Sequence, residues 1–348
     1  MKRGLHVLDP AEISEQEWGE RVATVQRAMA EQGVDIGLVY GDVSRSDDIA
    51  YLTNLCIYWN EGVLAVPAEG PVTFLTKLSL RVQNWMKRSS TVTGFSGGKN
   101  FAELVAKYLV GSQEGVLGLV DAALWPAAVA DEIVAAVPGW EVRRLDGLVR
   151  EQRLVPSPAE VELLRRAGRI VDDAITEAVV EGSTAGSRIE AVERALRNGG
   201  FLDVYPYPLS TSDGVASVVV TGQYRTTWVH ASRVLGGGAG WAGPLEEALG
   251  RAIAAVTAGA TVGSLADAAA PLPATLPAGA TVEVRWVNQA DLSTGGEFRT
   301  DDPAVELADG EVGAVSVQVA FADGGNAAVA ETVRVTTGAP EHLTGAQR

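Results

Sequence analysis

A Pro-Ser-Pro run at residues 156–158 divides this 348-residue chain into two parts with different secondary-structure patterns. Two prolines this close together end any regular element that precedes them. Ser157 is placed as an N-cap, the second proline suits the first helical position, and Glu160 completes a capping box. The sequence therefore predicts one domain of residues 1–153 and a second of residues 154–348, which begins with a long helix.

The first part alternates helical and strand signals. A capping box at Ser14-Glu-Gln-Glu17 precedes apolar residues at helical spacing from Trp18 to Met29, and the strand signal Ile36-Gly-Leu-Val-Tyr40 follows. Such a mixture is typical of a small α/β domain. Further strands are expected at 62–66, 72–75 and 116–120, and further helices at 101–109 and 127–136.

The second part separates its helices from its strands. Helical patterns come first and strand-like runs dominate afterwards, which indicates an α+β arrangement with an antiparallel sheet. The predicted helices are 157–181, 187–199 and 243–258, and the predicted strands are 215–234, 281–289, 312–321 and 328–336.

Composition excludes several classes of protein. The formal net charge of -16 repels phosphate groups, so neither nucleic acid nor a membrane surface is expected as a partner. The single cysteine, Cys56, excludes an internal disulfide. The N-terminal residues lack the apolar run of a signal peptide, and no stretch reaches the roughly 20 apolar residues of a membrane helix. A cytoplasmic enzyme or binding protein is therefore expected.

Several segments resemble the creatinase and proline-aminopeptidase superfamily. The segment from Gln32 to Tyr40 and the run Asp48-Ile-Ala-Tyr-Leu-Thr-Asn54 resemble its N-terminal domain. The run Pro156 to Arg165 resembles its inter-domain signature, and Ala330 to Gly338 resembles its last strand. The resemblance spans nearly the whole chain. It implies an α+β protein in which a small α/β creatinase-type domain precedes a pita-bread domain with a curved antiparallel sheet.

The resemblance also implies where metal ligands would stand. Peptidase members of the family hold two divalent ions with two aspartates, one histidine and two glutamates, because hard cations need several converging ligands. By the family's spacing, Val219 and His230 stand at the two aspartates, Ser316 at the first glutamate and Glu331 at the last. The family's histidine would lie between residues 260 and 305, an interval without histidine. No metal and no other cofactor is therefore expected.

Strand alternation predicts a polar pocket on the sheet of the second domain. Side chains two residues apart on a strand share a face, and these positions carry polar or aromatic groups where a core would carry aliphatic ones. Glu331 is expected to line the same concavity. The substrate-binding residues expected on these strands are Tyr224, Trp228, Arg285, Gln289, Ser316 and Gln318.

His230 and Glu331 are the candidate catalytic residues. Imidazole titrates near neutrality, so His230 suits general acid or base chemistry, with Glu331 orienting its ring. Structural roles stay open for both: a buried histidine satisfied by one hydrogen bond, and a glutamate in a salt bridge to Arg285 or Arg334. Creatinase, which also lacks the metals, uses a histidine on a loop upstream of this strand, so His230 does not correspond to it.

The resemblance further implies a contribution from a second subunit. In family members the N-terminal domain of one subunit often reaches the partner's active site through the segment that is residues 55–61 here. Tyr58 and Asn60 are therefore expected to contact substrate in a homodimer. Asn60 replaces the arginine that creatinase uses, so the carboxylate clamp is missing and creatine is not the expected substrate. An exposed aromatic on a dimer surface is the alternative for Tyr58.

The expected function is that of a metal-independent enzyme acting on a small molecule, hydrolysing a C–N bond through His230 and Glu331. A lyase, isomerase or cyclase of specialised metabolism using the same pocket stays open, because a fold does not select a reaction. A catalytically silent module that binds basic partners also stays open. The last alternative is a metallopeptidase with unusual ligands, namely His230, Glu331 and either Asp213 or Asp291.

Overall fold

The computed structural model divides the chain into two compact units, Met1–Arg153 and Leu154–Arg348. Each unit has its own sheet and its own apolar core. Within the ranges that the structure describes, no helix is long and apolar enough to cross a lipid bilayer. The structure describes residues 8–57, 60–181, 184–212, 214–235, 240–270, 272, 276–294 and 302–345.

The first unit contains a six-stranded mixed sheet. Its elements are α1 (Glu15–Glu31), β1 (Ile36–Asp42), α2 (Asp47–Thr53), β2 (Glu61–Pro67), β3 (Thr73–Thr76), α3 (Leu80–Ser89), β4 (Gly94–Gly97), α4 (Phe101–Tyr108), β5 (Val116–Val120), α5 (Ala127–Ala136), β6 (Glu141–Leu145) and α6 (Arg150–Arg153). The strand order is β4-β3-β2-β1-β5-β6. Separate apolar clusters cover its two faces, which explains why the central residues of β1, β2 and β5 are apolar on both faces.

Local sequence signals start both long helices where they were predicted. Ser14 accepts a hydrogen bond from the Glu17 amide (3.2 Å) at the start of α1. At the start of the second unit, the Glu160 amide donates to Ser157 Oγ (3.1 Å) and the Ser157 amide donates to the Glu160 carboxylate (3.2 Å). This reciprocal capping box satisfies amides that a helix start leaves without partners.

The second unit is built on an antiparallel sheet with helices on one face. Its elements are α7 (Pro158–Glu181), α8 (Ala185–Asn198), β7 (Asp203–Thr211), β8 (Gly214–Tyr224), β9 (Thr227–Val234), α9 (Ala242–Ala254), α10 (Val262–Ala269), β10 (Thr281–Asn288), β11 (Val312–Ala320), β12 (Asn326–Arg334) and β13 (Glu341–His342). The order is β10-β11-β12-β9-β8-β7, with β13 paired to β12. The predicted α+β class and curved antiparallel sheet are confirmed.

The two faces of this sheet differ in what covers them. One face, here termed the helical face, packs Val315, Val317 and Trp286 against apolar residues of α9 and α10. The other face, here termed the open face, carries the side chains of the residues that alternate with these along each strand. The sheet curls, because β12 also contacts β7 across the two intervening strands, and Gly325 lies against the backbone of Thr211. Curling draws the side chains of the open face toward one another.

The continuous strand predicted for residues 215–234 is wrong. The chain reverses at Arg225 and Thr226, and Tyr224 pairs directly with Thr227. Arg225 has a left-handed φ of 56°, as a tight hairpin turn requires, although neither residue is a usual turn former. The two-residue turn was therefore hidden in a run that otherwise looks like one strand.

The Tyr-Pro-Tyr-Pro run at residues 205–208 forms part of a strand, not the stiff turn that its prolines indicate. It lies in β7, at the edge of the sheet. A proline lacks an amide hydrogen, and an edge strand needs donors on one side only, so an edge tolerates proline where a central strand does not. The alternating Tyr205 and Tyr207 therefore project from one face of this strand.

Side chains hold β9 to β12 where backbone pairing is sparse. Ala330 and Ser232 are the one pair of directly opposite residues between these two strands. Thr332 Oγ1 accepts from the His230 amide (2.9 Å) and donates to the His230 carbonyl (2.8 Å). Ser232 Oγ donates to the Ala328 carbonyl (2.9 Å), and Arg233 donates to the Ala330 carbonyl (2.7 Å). We call this set of contacts the β9–β12 seam.

Replacing Thr332 with Val is expected to lower the free energy of unfolding by about 2–3 kcal/mol, because it leaves the buried amide and carbonyl of His230 without their hydroxyl partner. Replacing Thr332 with Ser keeps the hydroxyl and is expected to cost much less. Urea unfolding of the three proteins measures the difference. Equal losses in the Val and Ser variants would show that the hydroxyl does not stabilise the seam.

Candidate functional site

The register of the sheet defines which side chains share its open face. Residues directly opposite one another on paired strands lie on the same face. Ser316 is opposite Arg285 on one side and Ala330 on the other, and Ala330 is opposite Ser232. His230 is two residues from Ser232 on the same strand and therefore lies on this face as well.

The ring of His230 is oriented by a threonine of the neighbouring strand. His230 is opposite Thr221, and its Nδ1 lies 2.8 Å from Thr221 Oγ1. The backbone of His230 is held on its other side by Thr332. Burial, and to a smaller extent the charge of Arg233, lowers the pKa of His230 from its ordinary 6.5 to about 4. The imidazole is therefore neutral at neutral pH.

Aromatic side chains form a wall next to His230. Trp228 is fully buried and packs with Leu292 and Ala314. The ring of Tyr205 stacks over Trp228, with centroids 6.3 Å apart and planes at 10°. Tyr205 is 46% exposed, so the wall is partly open to solvent. An open aromatic surface beside a neutral imidazole suits an apolar or aromatic portion of a small molecule.

Charged and polar groups stand further along the same face. Arg285 and Glu283, alternate residues of β10, form a bidentate ion pair, with Arg285 Nε 2.5 Å from the carboxylate. Burial raises the pKa of Tyr207, and the charge of Arg285 lowers it. Tyr207 lies on β7 and Arg285 lies on β10, which are the two outermost strands of the curled sheet. Ser316 and Gln318 lie between them on β11. The predicted open-face residues Trp228, Arg285, Gln289, Ser316 and Gln318 thus belong to the same region as His230.

Gln289 contacts this region through the backbone amide of Trp228. Its side-chain oxygen accepts a hydrogen bond from the Trp228 amide at 3.4 Å, and the residue is almost fully buried. It begins the short 3-10 helix Gln289–Thr294, which contacts β9. Its amide group thus helps to hold the wall in place.

The structure does not bring Glu331 to His230, so the expected catalytic pair is wrong in its geometry. Glu331 is opposite Val315 and lies on the helical face, whereas Ala330 is the residue of β12 that shares the open face. Glu331 Oε2 accepts from His342 Nδ1 at 2.8 Å, whereas Arg285 pairs with Glu283 and Arg334 with Glu341. Thr221 orients the His230 ring instead.

Tyr224 also lies on the other face, because the hairpin turn reverses the alternation. Tyr224 is opposite Thr227, so its side chain does not share a face with Trp228. It packs against Phe201, with ring centroids 5.3 Å apart. Asn60 belongs to the first unit, where it is exposed and has a left-handed φ of 69° just before β2. Tyr58 lies outside the described residues.

Sequence reasoning missed Thr221, Thr332 and Tyr205 as parts of this site. Thr221 and Thr332 contact His230 from strands that lie nine or more residues away along the chain. If the hairpin turn had been predicted correctly, Thr221 would have been identified as the residue opposite His230, because the turn determines the register of the two strands. Thr332 depends on the β9–β12 pairing, for which the sequence carries no local signal.

On the described part of the open face, the positions at which the resemblance implies metal ligands carry other side chains. The positions that the family's spacing assigns to ligands are occupied there by Val219, His230 and Ser316, and β12 contributes Ala330 instead of a carboxylate. Neither Val nor Ala supplies a donor atom, and hard cations require several oxygen ligands. Among the described residues, no group of three or more His, Cys, Asp or Glu side chains converges on one point. Asp213 lies outside that part of the chain.

Comparison with known proteins finds a family model for the first part of the chain and solved structures of similar fold for nearly all of it. The family model described as the creatinase/prolidase N-terminal domain matches residues 21–155. The prolidase from Pyrococcus horikoshii OT3 superposes with a TM-score of 0.77 at 18% identity, covering 94% of this chain and 99% of its own. The Xaa-Pro dipeptidase from Bacillus anthracis gives 0.73 at 17% identity, covering 94% and 98%. The dipeptidase PepE from Mycobacterium ulcerans gives 0.72 at 17%, covering 97% of both. No curated protein sequence matches the chain.

The lowered pKa of His230 predicts how stability depends on pH. Above pH 6.5 the imidazole is neutral in the folded and unfolded chain. Between pH 6.5 and about 4 the unfolded chain binds a proton that the folded chain does not, so the free energy of unfolding falls as the pH falls, by at most about 3 kcal/mol from this residue. Urea unfolding at pH 7 and pH 4.5 is expected to show a smaller loss for His230→Gln than for the wild type. Equal losses would contradict the shift.

Proposed function

We propose that this chain is a member of the creatinase and proline-aminopeptidase superfamily and an enzyme that hydrolyses a C–N bond of a small molecule without a resident metal ion. The observation that carries the proposal is His230 on the open face, with its ring bonded to Thr221 and an aromatic wall beside it. The solved structures that share its fold are named as prolidases, dipeptidases and an X-Pro aminopeptidase, which favours C–N hydrolysis over other reactions of this pocket.

His230 would transfer the proton that hydrolysis requires. In this proposal the oxygen of a water molecule bonds to the carbon of the C–N bond while neutral His230 takes a proton from that water. His230 then gives this proton to the nitrogen as the C–N bond breaks. A pKa of about 4 makes the imidazolium a strong acid, so donation to the leaving nitrogen is favoured, whereas neutral imidazole is a weak base for water.

The surrounding side chains would determine which substrates bind. Tyr205, stacked on the buried Trp228, offers an apolar, aromatic surface, and Ser316 and Gln318 carry hydrogen-bonding groups on the same face. The guanidinium of Arg285 is already paired with Glu283, so a substrate carboxylate would have to compete for it. We therefore propose a substrate with an apolar or aromatic portion and a neutral polar portion.

We base the proposed independence from metal on the positions that the family's spacing assigns to ligands. Val219 and Ser316 replace carboxylates there, and Glu331 lies on the helical face, which leaves His230 as the strong ligand among these positions on the open face. We further propose that the enzyme is a homodimer in which residues 55–61 of one subunit, including Tyr58 and Asn60, approach the open face of the other. Sedimentation of the purified protein at micromolar concentration tests the dimer, and a monomer would remove this part of the proposal.

Metal content tests the central claim directly. Elemental analysis of the purified protein is expected to find manganese, zinc and cobalt well below one ion per chain, and dialysis against a chelator is expected to leave turnover unchanged. The physical reason is that few oxygen ligands stand among the described side chains of the open face. A stoichiometric metal whose removal abolishes turnover would replace this proposal with a metallopeptidase.

Replacing His230 with Gln is expected to lower turnover by about 10²–10⁴-fold, the usual contribution of general acid–base catalysis. Turnover is measured by mass spectrometry on dipeptides ending in proline and on N-acyl aromatic amines, in water enriched in oxygen-18. One labelled oxygen in the acid product identifies hydrolysis, whereas elimination, isomerisation and cyclisation incorporate none. The wild-type rate is expected to be flat from pH 5 to 8 and to fall only near pH 4.

Thr221→Val is the matched control, because it keeps the imidazole and removes its hydrogen bond. Its turnover is expected to fall less than that of His230→Gln. Unchanged turnover in a folded His230→Gln protein would remove His230 from the mechanism. The absence of any turnover in the wild type, together with binding of the same compounds, would favour the silent binding module.

A further inference from the structure

A second cavity lies in the same unit, on the helical face and therefore opposite His230. Its volume is about 470 Å³, within the range of small-molecule sites, roughly 300–1,000 Å³. One side is formed by α9 and the other by the end of the chain near β12 and β13. Its lining includes Glu246, Leu249, Gly250, Ile253, Glu331 and His342.

Glu331 places a carboxylate at the base of this cavity. Its side chain is only 4% exposed, whereas that of His342 is 46% exposed. The Glu331 carboxylate accepts from His342 Nδ1, so Nδ1 carries a proton, and Nε2 is the ring atom left to face a ligand. Glu246 adds a second carboxylate, and none of the described lining residues is a lysine or an arginine. The cavity therefore presents acceptors and negative charge.

The backbone at Gly345 lies directly against the carboxylate of Glu331. Gly345 has a left-handed φ of 81°, and a Cβ there would lie 2.4 Å from the carboxyl carbon of Glu331. The Gly345 amide donates to Asp172 (2.7 Å), which is paired with Arg233. Any other residue at position 345 would displace the carboxylate, so this glycine allows Glu331 to stay at the base of the cavity.

Gly250 of α9 is an exposed residue that lines the cavity. It lies within the helix, where glycine is less favourable than alanine. A Cβ at this position would meet no atom within 4 Å, so a longer side chain there would have room to extend over the cavity.

We propose that this cavity binds a small organic cation that carries an alkyl chain, such as an alkylguanidinium or alkylammonium compound. Glu331 and His342 would accept hydrogen bonds from the cationic head, and the buried side chains of Leu249 and Ile253 would pack against the alkyl portion. The His and Glu side chains do not converge as metal ligands among the described residues, which favours an organic cation over a metal ion. The site does not depend on the function proposed for the open face.

Titration calorimetry of the full chain with n-butylguanidinium tests this site. The wild type is expected to bind one molecule per chain saturably, whereas 1-butanol and butyrate, which lack the positive charge, are not expected to bind. Glu331→Gln keeps a hydrogen-bonding side chain and is expected to weaken binding by about tenfold or more. Gly250→Met is expected to weaken it comparably by filling the open space, without lowering the melting temperature.

Two control variants separate this site from other effects. Glu247→Gln removes one negative charge from α9 at a residue outside the cavity, and it is expected to bind butylguanidinium like the wild type. His230→Gln is expected to do the same, so loss of turnover on the open face leaves this result unaffected. Absence of saturable binding in the wild type, equal weakening in Glu247→Gln and Glu331→Gln, or unchanged binding in Gly250→Met would each overturn the proposal.

Discussion

The arrangement of the second unit depends on the β9–β12 seam. These strands come from distant parts of the chain, and one backbone pair, Ala330 with Ser232, defines their register. The hydroxyl of Thr332 bonds both backbone groups of His230 and so replaces ladder bonds that are missing. Arg233 joins the seam to α7 through Asp172. Because side chains alternate along a strand, this one register decides the face on which every residue of β9 and β12 lies.

The seam separates the two polar sites of the unit. It directs His230 to the open face and Glu331 to the helical face, although both were expected in one pocket. On the open face, burial and the nearby Arg233 keep the imidazole neutral. On the helical face, Glu331 bonds His342 at the edge of a cavity, and Gly345 leaves room for its carboxylate. A slip of one residue in β12 would exchange these environments.

Local signals predicted much of the fold because they act over a few residues. The capping boxes at Ser14 and Ser157 start their helices as expected, and the strand at residues 116–120 has the predicted bounds. The hairpin turn at Arg225 was missed because its residues are not usual turn formers. The strand β7 was missed because its prolines are tolerated only at a sheet edge, and edge position is a property of the whole sheet.

The sequence by itself determined most of the element types and the fold class, since composition, capping and periodicity are local properties of the chain. It also identified His230 and Trp228 as members of one face, because they are two residues apart on one strand. Only the tertiary structure decided which side chains lie next to His230 and Trp228. Thr221, Thr332 and Tyr205 reach His230 and Trp228 through strand pairing and sheet curvature, whose energies depend on contacts between residues far apart in sequence. The same pairing removed Glu331 and Tyr224 from the expected pocket.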